Sequence, residues 1–78
     1  MTNTGIDATA LTQAAATFLQ RGQADSAEGC AREALRGDPT HLGALNVLAV
    51  ALNSQGKHAR ASEVFAELAR RDPTYIDH

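Results

Sequence analysis

Apolar residues recur along the chain at intervals of three and four positions, which is the spacing of one face of an α-helix. The four stripes are Leu11, Ala14, Ala15 and Phe18; Ala27, Ala31, Ala34 and Leu35; Leu45, Leu48, Ala49 and Leu52; and Ala61, Phe65, Leu68 and Ala69. The pattern predicts helices over 8–21, 24–37, 41–55 and 58–71, and the first residues of a fifth element at 74–78. Asp7 and Thr40 precede the first and third stripes and are the predicted N-caps.

The ends of these segments carry residues that terminate helices. Gly22 and Gly56 follow the first and third stripes, where a glycine in the left-handed conformation ends a helix at little steric cost. Pro39 and Pro73 follow the second and fourth stripes, and proline lacks the amide donor that a continuing helix needs. Each half of the chain is therefore predicted to be a helix hairpin.

The two halves are also related as a sequence repeat. Residues 8–41 laid over residues 42–75 without a gap give ten identities in 34 positions, including the tripeptide Asp-Pro-Thr at 38–40 and 72–74. A fixed period of this length is the signature of a solenoid built from stacked units. The predicted organisation is a lead-in at 1–7, units at 8–41 and 42–75, and the start of a truncated third unit or capping helix at 76–78.

These units resemble the tetratricopeptide repeat, whose 34-residue signature is W-x2-L-G-x2-Y, then A-x3-F, then A and P. The matching positions are Leu11, Ala14, Ala15, Phe18, Ala27, Ala31, Ala34 and Pro39, then Leu45, Leu48, Ala49, Leu52, Ala61, Phe65, Leu68 and Pro73. The departures are Leu for Trp, Ala for Gly, Ala31 for an aromatic residue and Leu68 for a small one. The resemblance implies an all-α fold of tandem antiparallel helix hairpins in a right-handed α-α superhelix.

The resemblance also implies a concave groove, lined by the first helix of each unit, that holds a partner peptide. The corresponding residues are Thr9, Thr12, Gln13, Ala16 and Gln20, then Gly43, Asn46, Val47, Val50 and Asn53. Some members clamp an acidic C-terminal peptide with basic residues, but Thr12, Ala16 and Val47 stand at those positions here. Asn46 and Asn53 either hydrogen-bond a peptide backbone or are simply solvated, and the sequence leaves both alternatives open.

The last helix presents a packing problem, because about three such units are usually needed to cover each other's apolar faces. The face bearing Val64, Phe65 and Leu68 is therefore expected to be partly uncovered and to mediate self-association into a homo-oligomer. The other explanation is that the chain is a fragment of a longer protein.

Composition narrows the classes of partner. The net charge is −2, with seven basic and nine acidic residues, so the basic footprint of a nucleic-acid binder is absent. No apolar run approaches the roughly 20 residues of a transmembrane helix, and no signal peptide is recognisable. With Cys30 as the single cysteine, a cytoplasmic location is expected. The charged residues collect on the second helix of each unit and predict a solvated convex face with local ion pairs. The pairs Glu28–Arg32 and Glu67–Arg71 have the favourable i, i+4 spacing.

No catalytic constellation is recognisable in the sequence. The three histidines, His41, His58 and His78, have no metal-ligand spacing, and Cys30 has no evident base partner. The sequence therefore predicts a non-enzymatic scaffold, without metal or cofactor, that binds a protein or peptide partner or its own copies. The alternative is an N-terminal accessory domain of a larger enzyme, such as a transferase or hydroxylase.

Overall fold

The computed structural model describes residues 7–72, which form four α-helices and, within that range, no strand. The helices are α1 (Ala8–Gln20), α2 (Ala24–Gly37), α3 (Leu42–Ser54) and α4 (His58–Arg71). The all-α prediction is confirmed, and every helix boundary agrees with the predicted one to within one residue. The fifth element predicted at 74–78 lies outside the described residues.

Both hairpin turns use the predicted glycines in the same way. Gly22 has φ 78° and Gly56 has φ 80°, the left-handed values that favour glycine. In each turn the following residue donates its backbone N–H into the last turn of the helix, from Gln23 to the Phe18 carbonyl at 2.8 Å and from Lys57 to the Leu52 carbonyl at 2.9 Å. The backbone therefore reverses direction identically in the two units.

The helix caps match the prediction at α1 but not at α3. Asp7 caps α1, because its Oδ1 accepts a hydrogen bond from a backbone N–H in the first turn at 3.2 Å. The prediction that Thr40 caps α3 is wrong, because His41 does so by accepting the Ala44 N–H on its Nδ1 at 3.1 Å. Thr40 instead directs its N–H and its hydroxyl to Asp38 Oδ1, and so belongs to the turn between the hairpins.

α3 is the central element of the packing. It lies against α2 and α4 and also against α1, whereas α4 contacts only α3 among the described helices. The main core cluster consists of Ala15, Ala27, Ala31, Leu48, Ala51, Leu52 and Ala61. Most of its members are alanines, and small side chains allow helices to approach closely.

Equivalent positions of the two units are not equally buried. Ala14 is exposed on α1, whereas its counterpart Leu48 on α3 is only 5% exposed. Thr17 and its counterpart Ala51 differ in the same way. The cause is the stacking of the units. α2 covers the side of α3 that carries Leu48 and Ala51, whereas no described helix covers the side of α1 that carries Ala14 and Thr17.

The expected apolar opening on α4 is smaller than the sequence suggests. Leu68 is fully buried within the chain, so its predicted place on an uncovered face is wrong. Val64 and Phe65 are half-buried and pack against the core cluster. Among the large apolar side chains of the described residues, only Val50 counts as exposed, at 37%.

None of the helices in this part of the chain has the length and apolar character needed to cross a membrane.

Candidate peptide-binding groove and the junction between the hairpins

The residues predicted to line a groove lie on α1 and α3, two helices that are in contact. Of the apolar members, Ala16 and Val47 are half-buried and Val50 is exposed. The polar members are Thr9, Thr12, Gln13, Gln20, Asn46 and Asn53, and all of them are half-buried or exposed. The set contains no charged side chain, so this surface can offer apolar contact and amide or hydroxyl hydrogen bonds.

Gly43 marks a close approach between α1 and α3. A Cβ atom at this position would lie 3.1 Å from His41 Cε1 and 3.5 Å from Thr12 Cγ2. Glycine is unfavourable in the first turns of a helix on propensity alone. At this position, however, the missing side chain of Gly43 leaves room for the His41 ring and the Thr12 methyl group to pack against the start of α3.

His41 joins the N-termini of α1 and α3 at one end of this surface. Its Nδ1 is occupied as the acceptor of the α3 cap, so in the neutral ring Nε2 carries the hydrogen. Nε2 lies 3.4 Å from the Thr9 hydroxyl of α1. The sequence pattern did not predict this role for His41. Its place directly before the third apolar stripe was the available signal, but histidine is not among the preferred N-caps.

The two asparagines that were predicted to bind a peptide backbone have different surroundings. Asn53 is exposed, and its Oδ1 accepts a hydrogen bond from His58 Nδ1 at the start of α4. Asn46 is half-buried and makes no side-chain hydrogen bond within residues 7–72. Asn46 is therefore the better placed of the two to hydrogen-bond a ligand.

Glu28 of α2 connects the two hairpins. Its Oε1 accepts hydrogen bonds from Gln55 Nε2 at 2.8 Å and from Lys57 Nζ at 3.3 Å, both in the α3–α4 turn. Its Oε2 pairs with Arg32 on the same helix, with Nη2 at 2.8 Å. The predicted Glu28–Arg32 pair is confirmed, but the expectation of a solvated side chain is wrong, because the Glu28 side chain is only 14% exposed.

The environment of Glu28 favours its ionised form. The pKa of Glu28 is lowered from 4.5 to about 2, and the hydrogen bond from Gln55 is the largest cause. Partial burial opposes this shift, whereas Arg32 and Lys57 add to it. The repeat alignment contained no signal for this contact, because Ser62 stands at the position equivalent to Glu28. The contact depends on how the units stack, and the stacking brings Gln55 and Lys57 to α2.

The second ion-pair cluster lies within α4. Glu67 pairs with Arg70 and, as predicted, with Arg71, whose Nε lies 2.7 Å from Glu67 Oε2. The hydrogen bond from Arg70 is the main reason why the pKa of Glu67 is lowered. Because these contacts join neighbours within one helix, they support α4 locally and do not connect it to another element.

In the part of the chain that the structure describes, no group of three or more histidine, cysteine or acidic residues could hold a metal ion. Cys30 is half-buried and packs against the core cluster.

Comparison with known proteins identifies the repeat. The family model described as "Tetratricopeptide repeat" matches residues 11–76, which include most of both units. No curated protein and no solved structure matches the chain.

Proposed function

The chain belongs to the tetratricopeptide repeat family, a family of protein–protein interaction modules, and from this premise we propose that it binds an extended segment of a protein partner between α1 and α3. The chain acts as a non-enzymatic scaffold in this proposal. The binding surface consists of Thr12, Gln13 and Ala16 of α1 and of Asn46, Val47, Val50 and Asn53 of α3.

The exposed apolar side chain of Val50 is the observation that carries this proposal. It is the one large apolar residue in the described chain that counts as exposed, and Val47 and Ala16 extend the same kind of surface toward α1. An apolar surface edged by a few polar groups is the usual composition of a binding site. The side-chain amide of Asn46 makes no hydrogen bond to a described residue. An extended peptide backbone could both donate to this amide and accept from it.

A peptide selection tests this surface directly. Peptides are selected from a random displayed library on the immobilised wild-type chain, and their affinities for variants are measured by fluorescence anisotropy. Val50→Asp is expected to weaken binding by about tenfold or more, because a desolvated carboxylate would replace an apolar contact.

Ser62→Asp is the matched control, since it adds the same charge on an exposed position of α4. We expect it to leave the affinity unchanged. If the selected peptides bind Val50→Asp as tightly as the control, the partner does not occupy the surface between α1 and α3.

We also propose that copies of the chain self-associate through the outer side of α4. Val64 and Phe65 are the residues that support this contact, because both remain half-buried within one chain. Leu68 supports the contact only indirectly, by holding α4 in place, since it is fully buried.

A further inference from the structure

A hollow of about 400 Å³ lies between α2 and α3, lined by Arg32, Leu35, Arg36 and Leu48. Its volume is within the range of roughly 300–1,000 Å³ that is usual for ligand sites. We propose that this hollow binds a protein segment in which an apolar side chain lies next to a carboxylate. The hollow would be a second contact site, independent of the surface between α1 and α3.

The apolar part of the hollow comes from two leucines that the core holds in place. Leu48 belongs to the main core cluster and is 5% exposed, and Leu35 is half-buried against the same cluster. Neither side chain can move aside without disturbing the core. An apolar side chain of a partner would therefore meet a preformed surface, and its burial there is the main source of attraction.

The polar part of the hollow comes from two arginines that remain accessible. The side chain of Arg32 is 47% exposed and that of Arg36 is 77% exposed. The Nε and Nη2 atoms of Arg32 lie 2.9 and 2.8 Å from Glu28 Oε2. This contact orients the guanidinium before a ligand binds and leaves its Nη1 group available. Arg36 pairs with Glu33 at 3.2 Å, and such an exposed pair contributes too little to exclude a competing carboxylate.

The charge around the hollow favours a carboxylate over a cation. Arg32 shares Glu28 with Lys57, and Arg36 pairs separately with Glu33. The first group has one net positive charge and the second is neutral, on a chain whose total charge is −2. A guanidinium is also well suited to carboxylates, because its planar array of donors can bind both oxygens.

The hollow and the proposed peptide surface use different sides of α3. Leu48 and Val50 are two residues apart, so at 3.6 residues per turn their side chains point about 160° away from each other. The two sites share no residue. One partner segment can occupy the hollow while another occupies the surface between α1 and α3.

A pair of matched peptides provides the test. Acetyl-Leu-Phe-Asp-amide and acetyl-Leu-Phe-Asn-amide differ only in the carboxylate, and each is titrated into the isotopically labelled chain while the NMR signals of the leucine and valine methyl groups are recorded. The aspartate peptide is expected to shift the methyl signals of Leu35 and Leu48 and to bind about threefold or more tightly than the asparagine peptide. Added salt should reduce that difference.

Variants locate the charge that is responsible. Arg36→Gln is expected to abolish most of the preference for the aspartate peptide, whereas Arg60→Gln, which removes the same charge from an exposed position on α4, should retain it. Thermal unfolding of both variants checks that the fold is intact. The proposal is overturned if neither peptide shifts these methyl signals, if both peptides bind equally, or if the signals of Val47 and Val50 shift instead.

Discussion

At the scale of single residues, Glu28 of α2 contacts both hairpins. It is a carboxylate with three hydrogen-bonding partners from two different hairpins, and its side chain is mostly covered. A surface ion pair alone contributes little to stability. The Gln55 amide makes the Glu28 cluster more than a surface ion pair, because it reaches the carboxylate from the second unit. The same amide also donates to the Ala51 carbonyl at 3.1 Å.

The lowered pKa of Glu28 predicts a specific loss of stability in acid. Because the pKa is about 2 in the folded chain and 4.5 ordinarily, its contribution is complete above pH 4.5 and is lost as the pH falls from there toward 2. Allowing for solvent screening, we expect Glu28→Gln to remove about 1–2 kcal/mol of pH-dependent unfolding free energy in that window. Urea unfolding at a series of pH values measures this change.

Glu63→Gln is the control for this experiment, because Glu63 is an exposed glutamate of α4 outside the Glu28 cluster. Its pH profile should follow the wild-type profile. Parallel profiles for Glu28→Gln and the wild type would show that the junction contributes no proton-linked stability.

At the scale of helices, glycine has opposite effects depending on its position. Gly22 and Gly56 end helices with positive φ values, and no neighbouring atom would obstruct a side chain there, so conformation alone requires glycine. Gly29 lies in the middle of α2 at an exposed position with open space around it. There glycine only adds flexibility to the unfolded chain.

This contrast predicts stability changes of opposite sign for one substitution. Gly29→Ala should raise the free energy of unfolding by about 0.5–1 kcal/mol, because alanine is the better helix former. Gly22→Ala should lower it by about 1–2 kcal/mol, because the alanine is forced into the left-handed conformation. Chemical denaturation of the two variants in parallel measures both values, and a stabilised Gly22→Ala chain would contradict the assigned turn geometry.

At the scale of the whole molecule, the two units are equivalent in sequence but not in environment. α3 contacts all three other described helices, whereas α4 contacts only α3. The half-buried Val64 and Phe65 are therefore in the least supported part of the described core.

The proposed self-association predicts a mass that depends on concentration. Sedimentation equilibrium should give a mass that rises from 8.2 kDa toward at least twice that value as the protein concentration increases. Val64→Glu should shift the equilibrium back toward the monomer, because a charge would have to be desolvated at the contact. Ser62→Glu, on an exposed position of the same helix, is the control for the added charge. A mass of 8.2 kDa at every concentration would rule out the contact.

The local structure of this protein follows from its sequence. Helical periodicity, two glycines and the repeat predicted the four helices of residues 7–72 and the turn within each hairpin, because these features act through contacts only a few residues apart. The Glu28–Arg32 and Glu67–Arg71 pairs were predictable for the same reason, since their spacing places them on one helix face. The cap of α3 was missed, because several residues near it could accept the same hydrogen bond.

The differences between the two units arise from tertiary packing. Packing of the helices buries Leu48 and Leu68 but leaves Ala14 exposed. It also brings Gln55 and Lys57 into contact with Glu28. Each of these outcomes depends on which helix lies against which. Sequence spacing does not encode that arrangement, because it arises when the apolar sides of separate hairpins are removed from water together.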